Sequence, residues 1–393
     1  MTQRAPNILL AGGGTGGHVY PAIAIADAIR AQVPGANIAF VGTEDRVEAT
    51  AVPKAGSTLY PITVQGFQRA LTMRNLHALA DLAKGFVQSW NLVRSFQPDV
   101  AVGTGGYVAG PALLAAWMQG CPVVIQEQNA YVGVTNRLLS FIAAQIHIAF
   151  PEAERAVTAR RTARSGNPVR QSLTEATRAE GRRALDLPAD APVLLVFGGS
   201  LGSDALNTAM ERNVAALLDA DDQLRIIWQT GTRYFEALKG RVPDRPRLHL
   251  LKYINRMDLA YAAADLALCR AGAITCSELM VTGTPALLVP SPNVVADHQA
   301  KNARSMAAAG AAELLPEAAL AEQFVPRVTG LLHDDARRAA MTEAALQLAR
   351  PDAANHIAQA VLQLAAMGGD EDDTVRARRT PGTASGPRRA PTT

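Results

Sequence analysis

The sequence predicts an α/β protein built from two doubly wound, Rossmann-like domains that face each other across a cleft. Three observations predict it. Short, continuously apolar segments alternate with Ala-rich helical stretches, the pattern of parallel strands covered on both faces. Those segments fall into two series along the chain, and 393 residues exceed what one ordinary core accommodates. Glycine-rich turns recur directly after strand candidates of both series, where doubly wound sheets bind their ligands.

The first series comprises NILLA (7–11), NIAFVG (37–42), DVAVGTG (99–105), PVVIQE (122–127) and IHIAF (146–150). The second comprises VLLVFGG (193–199), LRIIWQTG (224–231), LHLLKYI (248–254), LALCRAG (266–272) and ALLVPSP (286–292). Between the series lies the polar stretch ARRTARSGNPVRQSL (159–173), which places the domains at 1–165 and 166–366. A helix at about 353–366 closes the second unit and could pack back on the first. From residue 367 an acidic block, Asp370 to Asp373, is followed by arginines among Pro, Gly, Ser and Thr, and this stretch is expected to be a disordered tail.

Composition narrows the partners. Hydrophobic residues make up 48% and charged residues 19%, enough for two well-packed cores. A net charge of +3 gives no argument for a nucleic-acid partner. Cys121, Cys269 and Cys276 are odd in number and apolar in setting, and read as reduced core thiols of a cytosolic protein. MTQRAPNILL runs into a strand without the pattern of a signal peptide. LLSFIAAQIHIAF (138–150) is too short and too interrupted to span a bilayer.

The stretch AGGGTGGHVYPAIAIADAIR (11–30) reads as strand, glycine turn and helix, with five glycines in the six positions 12–17 and His18 behind them. Such a turn presents bare backbone N–H groups to an anion. GTGGYVAGP (103–111), GGSLGSDALN (198–207) and RAGAITCSEL (270–279) repeat the arrangement. Two turns belong to each domain, so the expected site is the interdomain cleft and the expected ligand is phosphorylated. The first turn lacks an acidic residue suitably placed for a dinucleotide, and no G-x-x-x-x-G-K-[ST] motif is present.

GGTGGHVYPAIAIA, GTGGYVAGP, EQNAYVGVTNR, SGNPVR, FGGSLGSDALN, YINRMDLAYAAADLALCRAGAITCSEL and DHQAKNA follow one another in that order. Together, over about residues 7–362, they resemble the peptidoglycan N-acetylglucosaminyltransferases of glycosyltransferase family 28, which have the GT-B architecture. The resemblance implies transfer of GlcNAc from UDP-GlcNAc to undecaprenyl-pyrophosphoryl-MurNAc-pentapeptide (lipid I), giving lipid II and UDP in peptidoglycan synthesis. It also implies a peripheral enzyme on the cytoplasmic side of the cell membrane, with other cell-wall synthesis proteins as partners.

By the same resemblance, Thr15, Gly16 and Gly17 would touch the sugar nucleotide and Asn129 the GlcNAc. Arg170 and Ser200 would serve the nucleotide, and Ile254 would offer its backbone to the uracil edge. Ala273, Ile274, Thr275, Cys276, Ser277 and Glu278 would form the nucleotide-binding helix start, with Glu278 on the ribose hydroxyls, and Gln299 would hold sugar hydroxyls. His18 is the candidate general base of an inverting displacement, because an unperturbed imidazole is largely a free base at neutral pH. Glu127 is the rival base.

No metal cofactor is expected. Of the D-x-D triplets, one falls in the expected tail, and Asp219-Ala220-Asp221 precedes a strand, at the wrong end of its sheet, and reads as a solvated loop. The mixed apolar and basic stretch 66–96, with Phe67, Leu71, Met73, Leu76, Phe86 and Trp90 among Arg69, Arg74, Lys84 and Arg94, could lie on an anionic leaflet, and 136–145 could add to it. Leu201 stands where the family commonly carries glutamine. The main alternative is another GT-B UDP-sugar transferase acting on a different lipid or small-molecule acceptor. A UDP-sugar epimerase and a non-catalytic binding protein are more distant ones.

Overall fold

The computed structural model describes residues 4–66, 73–294 and 297–379. The chain forms two all-parallel sheets. The first holds β1 (Asn7–Gly12), β2 (Asn37–Gly42), β3 (Thr58–Pro61), β4 (Val100–Gly105), β5 (Val123–Glu127), β6 (Gln145–Ile148) and β7 (Thr162–Arg164), in the spatial order β3-β2-β1-β4-β5-β6-β7. The second holds β8 (Val193–Phe197), β9 (Arg225–Gln229), β10 (Leu248–Leu251), β11 (Leu266–Cys269), β12 (Ala286–Leu288) and β13 (Glu313–Leu314), in the order β10-β9-β8-β11-β12-β13.

In each sheet the order reverses at the first strand, between β1 and β4 and between β8 and β11. These are the switch points where doubly wound sheets open a crevice beyond their carboxyl ends. The strands beside them are buried apart from Asn7 at the start of β1, so β1, β4, β8 and β11 are written largely in Ile, Leu, Val and Ala. The four glycine turns leave these same four strands.

All ten expected strands form, and three more do not stand out in the sequence. β3, β7 and β13 are two to four residues long and lie on or next to sheet edges, half-buried or exposed. An edge strand needs no continuous apolar run, and β7 lies inside the stretch read as the interdomain boundary.

The last helix, Ala353–Arg379, returns to the first sheet. Its Ile357, Ala358, Val361 and Ala365 join one core with Val19, Ala22, Ile25, Ala26 and Ile29 of the helix Gly16–Gln32. The helix that carries His18 is thereby clamped from outside by the end of the chain. The final helix also runs beyond the expected start of the tail at 367, as far as Arg379. The rest of the expected tail, 380–393, lies outside the described residues.

Candidate active site

The first two glycine turns interlock. β1 pairs with β4 with a register shift, Ala11 opposite Gly103 and Gly12 opposite Gly105, which sets the two turns side by side. Gly105 and Gly106 have φ of +104° and +83°. A Cβ on Gly105 would stand 2.8 Å from His18 Nδ1, and one on Gly106 would stand 2.3 Å from the Gly13 carbonyl. The glycines therefore make room for His18 and for the neighbouring backbone as much as for a ligand. Glu48, to which the sequence reading assigned nothing, is buried and accepts from the N–H of Gly14 (3.0 Å) and of Thr43 (3.1 Å), holding the first turn from behind.

Thr15 caps the helix Gly16–Gln32 without using its side chain, and Thr15 and Gly17 are exposed. His18 is half-buried in the first turn. Its Nδ1 lies 3.0 Å from the Thr104 carbonyl and 3.0 Å from Gln128 Oε1. Its backbone carbonyl accepts from Thr104 Oγ1 at 2.7 Å. A carbonyl can only accept, so a hydrogen bond between Nδ1 and Thr104 requires the proton to stand on Nδ1.

Glu127 ends β5 and is 2% exposed. Its Oε1 accepts from Asn129 N (2.9 Å) and Asn129 Nδ2 (3.2 Å), and its Oε2 from Gly133 N (3.1 Å) and Asn136 Nδ2 (2.9 Å). The carboxylate organises the 128–136 loop. Asn129 is half-buried, and its Oδ1 faces Asn302 Nδ2 at 3.4 Å.

In the second sheet, Gly198–Gly202 follow β8, with Ser200 exposed in the turn and Ser203 capping the helix Asp204–Ala220. The helix Ala273–Thr282 follows β11, and its N-cap Gly272 supplies no side chain, which leaves a bare helix N-terminus. Ala273, Ile274 and Thr275 are partly accessible there. Cys276 is fully buried in the core, and Ser277 Oγ is turned to Asn167 Nδ2 at 2.9 Å. The expected contributions of Cys276 and Ser277 are thus limited to their backbone, because one helical turn points only part of its residues at a ligand.

Glu278 stands one turn further on. Its Oε2 accepts from Tyr261 Oη at 3.0 Å, and its Oε1 lies 3.6 Å from Arg170 Nη2. Burial pushes its carboxyl above the usual range, opposed by Arg170 and by the Tyr261 hydrogen bond. Arg170 is itself largely exposed. The Ile254 N–H is taken by Gln229 Oε1 at 2.8 Å, and Gln229 Nε2 in turn donates to the Gly199 carbonyl at 3.0 Å. Gln299 Oε1 accepts from Ser291 N at 2.8 Å. His298, next to it, is pushed below the usual range by burial, with Glu127, Lys301 and His18 among the charges it feels.

Two buried asparagines join the halves. Asn167 Nδ2 donates to the Gln128 carbonyl (3.0 Å) and reaches Ser277 Oγ, and its Oδ1 accepts from Gln126 Nε2 at 2.7 Å. Asn302 Oδ1 accepts from Ala130 N at 2.9 Å, and its Nδ2 donates to the Ala271 carbonyl at 3.2 Å. These bonds draw the EQN loop behind His18 onto the start of the helix that carries Glu278. The sequence reading missed both asparagines, Gln128 and Tyr261, although all four lie within its quoted motifs.

Asp219 pairs with Arg245, and Asp221 caps the turn before β9 through the N–H of Gln223 and Leu224. The triplet lies at the amino end of β9, away from the glycine turns. Among the described residues no three His, Cys, Asp or Glu side chains stand together as a metal site.

Among the described residues no helix is long and apolar enough to cross a membrane. Three neighbouring helices nevertheless expose apolar side chains: Leu76, Leu79 and Val87 on Met73–Phe96, Trp117 and Met118 at the end of Ala109–Met118, and Val134, Leu138 and Phe141 at and just after Val134–Leu139. Lys84, Arg94 and Arg137 are exposed among them. Phe86 and Trp90, expected on this surface, instead pack into the core of the first sheet, their rings 6.0 Å apart. Phe67, Arg69 and Leu71 lie outside the described residues, as do the side chains of Met73 and Arg74.

Comparison with known proteins agrees with this architecture. Residues 8–148 match the glycosyltransferase family 28 N-terminal domain and residues 193–357 its C-terminal domain. The UDP-N-acetylglucosamine–N-acetylmuramyl-(pentapeptide) pyrophosphoryl-undecaprenol N-acetylglucosamine transferase of Salinibacter ruber is 58% identical, covering 93% of this chain and 98% of that protein. The transferase of the same name from Chlorobium limicola is 41% identical, covering 91% and 99%. The crystal structure of Acinetobacter baumannii MurG superposes with a TM-score of 0.72 at 31% identity, covering 91% of this chain and 99% of that one. The chain belongs to glycosyltransferase family 28, among its peptidoglycan N-acetylglucosaminyltransferases.

Proposed function

We propose that this glycosyltransferase transfers GlcNAc from UDP-GlcNAc to the MurNAc hydroxyl of lipid I, with inversion, releasing UDP and lipid II. The observation that carries the mechanism is the Asn167 bridge. It ties the loop that holds His18 to the bare N-terminus of the helix Ala273–Thr282, which supports a base and an anion site acting on one bound donor.

The donor's ribose hydroxyls would lie on Glu278, whose carboxylate accepts two hydrogen bonds in one plane. Its diphosphate would lie at the N–H groups of Ala273 to Ser277 and at the Gly198–Gly202 turn, with Ser200 and Arg170 beside it. These dipoles stabilise the charge that grows on the departing UDP. A uracil edge would be read by the Ile254 carbonyl, since the amide is already engaged. Thr15, Gly16, Gly17, Asn129 and Gln299 would line the sugar. The acceptor oxygen attacks the anomeric carbon, the bond from that carbon to the β-phosphate oxygen breaks, and the hydroxyl proton passes to His18 Nε2.

Glu127 suits this proton transfer less well than His18. Its oxygens already receive four N–H donors, and proton uptake there would break the loop's hydrogen bonds. We assign it a positioning role. Helix and turn dipoles take the place of a metal in this reading. The exposed apolar and basic side chains of the three neighbouring helices fit peripheral contact with an anionic cytoplasmic leaflet, from which lipid I would be drawn.

The test is UDP release from UDP-GlcNAc by the purified protein, with and without a short-chain lipid I analogue. Release that requires the analogue supports the assignment. Release or an epimerised sugar without acceptor would replace it with hydrolase or epimerase chemistry.

A further inference from the structure

His18 does not sit alone against Gln128. Behind it runs a chain of three buried amides, each almost fully removed from solvent. Gln128 Nε2 faces the Thr104 carbonyl at 2.6 Å, the Gln126 carbonyl at 3.0 Å and Gln126 Oε1. Gln126 Nε2 donates to Asn167 Oδ1 at 2.7 Å. Asn167 Nδ2 faces the Gln128 carbonyl at 3.0 Å and the Ala273 carbonyl at 3.4 Å.

The chain can be read in one direction only. Backbone carbonyls cannot donate, so the ends of Gln128 and Asn167 that face them must be their NH2 groups. The oxygen of Asn167 then points at Gln126, the oxygen of Gln126 at Gln128, and the oxygen of Gln128 at His18 Nδ1. Turning over the Gln128 amide would set its oxygen against three others in a buried site, at the penalty of unpaired buried polar groups. Both partners of Nδ1, the Thr104 carbonyl and Gln128 Oε1, are therefore acceptors, and Gln128 also steadies the Thr104 carbonyl.

We propose that Gln128 is a positioning residue of the transfer reaction, which, oriented by Gln126 and Asn167, holds His18 as the Nδ1–H tautomer with the Nε2 lone pair toward the acceptor hydroxyl. The catalytic consequence rests on the proposed role of His18 as base. The tautomer itself does not. The chain ends at the helix proposed to bind the donor, so one rigid network sets the base and abuts the leaving-group site.

The experiment uses the full chain labelled with 15N-histidine. Imidazole 15N–1H correlation spectra near neutral pH report the tautomer directly, with His18→Gln identifying the His18 signals. Wild type is expected to show Nδ1 protonated and Nε2 bare. Gln128→Met keeps the length and removes both polar ends. It is expected to give mixed tautomers, with kcat lowered about tenfold to a hundredfold and KM for UDP-GlcNAc within about twofold of wild type. The wild-type spectrum needs no variant, so the test survives poor folding of Gln128→Met. A wild-type His18 protonated at Nε2 overturns the proposal. So does a Gln128→Met protein that keeps the pure Nδ1–H tautomer. Failure of the base role has a separate signature: the Nδ1–H tautomer in wild type, but near-wild-type turnover by His18→Gln.

Discussion

Tyr261 Oη donates to Glu278 Oε2 at 3.0 Å from a fully buried ring that also packs edge-on against Phe197 of β8. The phenol fixes the plane of the one carboxylate on the helix proposed to bind the donor. Glu278→Ala should raise KM for UDP-GlcNAc and lower kcat/KM about a hundredfold or more, since hydrogen bonds to a charged group contribute about 1.5–3 kcal/mol each. Tyr261→Phe should cost about tenfold, mostly in KM. Because the Glu278 carboxyl is held above its usual range by burial, the stability it contributes is present below its unfolded pKa and lost as pH rises through the folded one. Once ionised, the group therefore opposes folding of the free enzyme. Glu278→Gln should keep or raise Tm while weakening donor binding, and wild-type KM for UDP-GlcNAc should climb on the acid side at a higher pH than for an ordinary glutamate. Isothermal titration and thermal melts across pH check both signs.

Asn302 is fully buried and satisfies the Ala130 N–H and the Ala271 carbonyl from opposite sides of the junction. Asn302→Ala leaves both groups without that partner and should lower stability by about 1–3 kcal/mol. Denaturant melts followed by tryptophan fluorescence should show an earlier midpoint. An unchanged midpoint would mean that the two halves hold together without this bond.

Most of the fold was legible in the sequence, because the strands beside the switch points are buried on both faces and have no other way to be written than as apolar runs. β3, β7 and β13 were not legible, since edge strands can mix polar and apolar residues freely. The glycine turns were legible, and His18 and Glu278 were named beside them because the proposed chemistry demands those residue types. It was not legible where a side chain works on another side chain. Nothing in EQN says that Glu127 faces inward to four N–H groups or that Gln128 faces His18, because that depends on which loop β4 places opposite β5. Cys276 and Ser277 show the converse: their position in a motif does not reveal that their side chains turn away from the cleft.

Val134, Leu138 and Phe141 are 72%, 66% and 70% exposed, a contiguous apolar edge that water does not favour. Leu138→Ser with Phe141→Ser should leave Tm within about a degree, because little packing is lost. The same pair should reduce sedimentation with vesicles containing anionic lipid several-fold and raise KM for a long-chain acceptor more than for a short-chain one. Equal vesicle binding by the double variant would remove these residues from the membrane contact.

The proposed leaving-group site relies on dipoles, and Asp219 and Asp221 of the first D-x-D triplet are engaged by Arg245 and by a turn. Dialysis against EDTA should therefore leave turnover unchanged. A loss that Mg²⁺ or Mn²⁺ restores would show that an ion is needed.

The central claim is that His18 Nε2 removes the acceptor proton, and single-turnover transfer from UDP-GlcNAc to a short-chain lipid I analogue tests it most directly. At saturating donor and acceptor, His18→Ala should lower the rate about 10²–10⁴-fold while binding UDP-GlcNAc as the wild type does. A His18→Ala enzyme that transfers GlcNAc at close to the wild-type rate would contradict it.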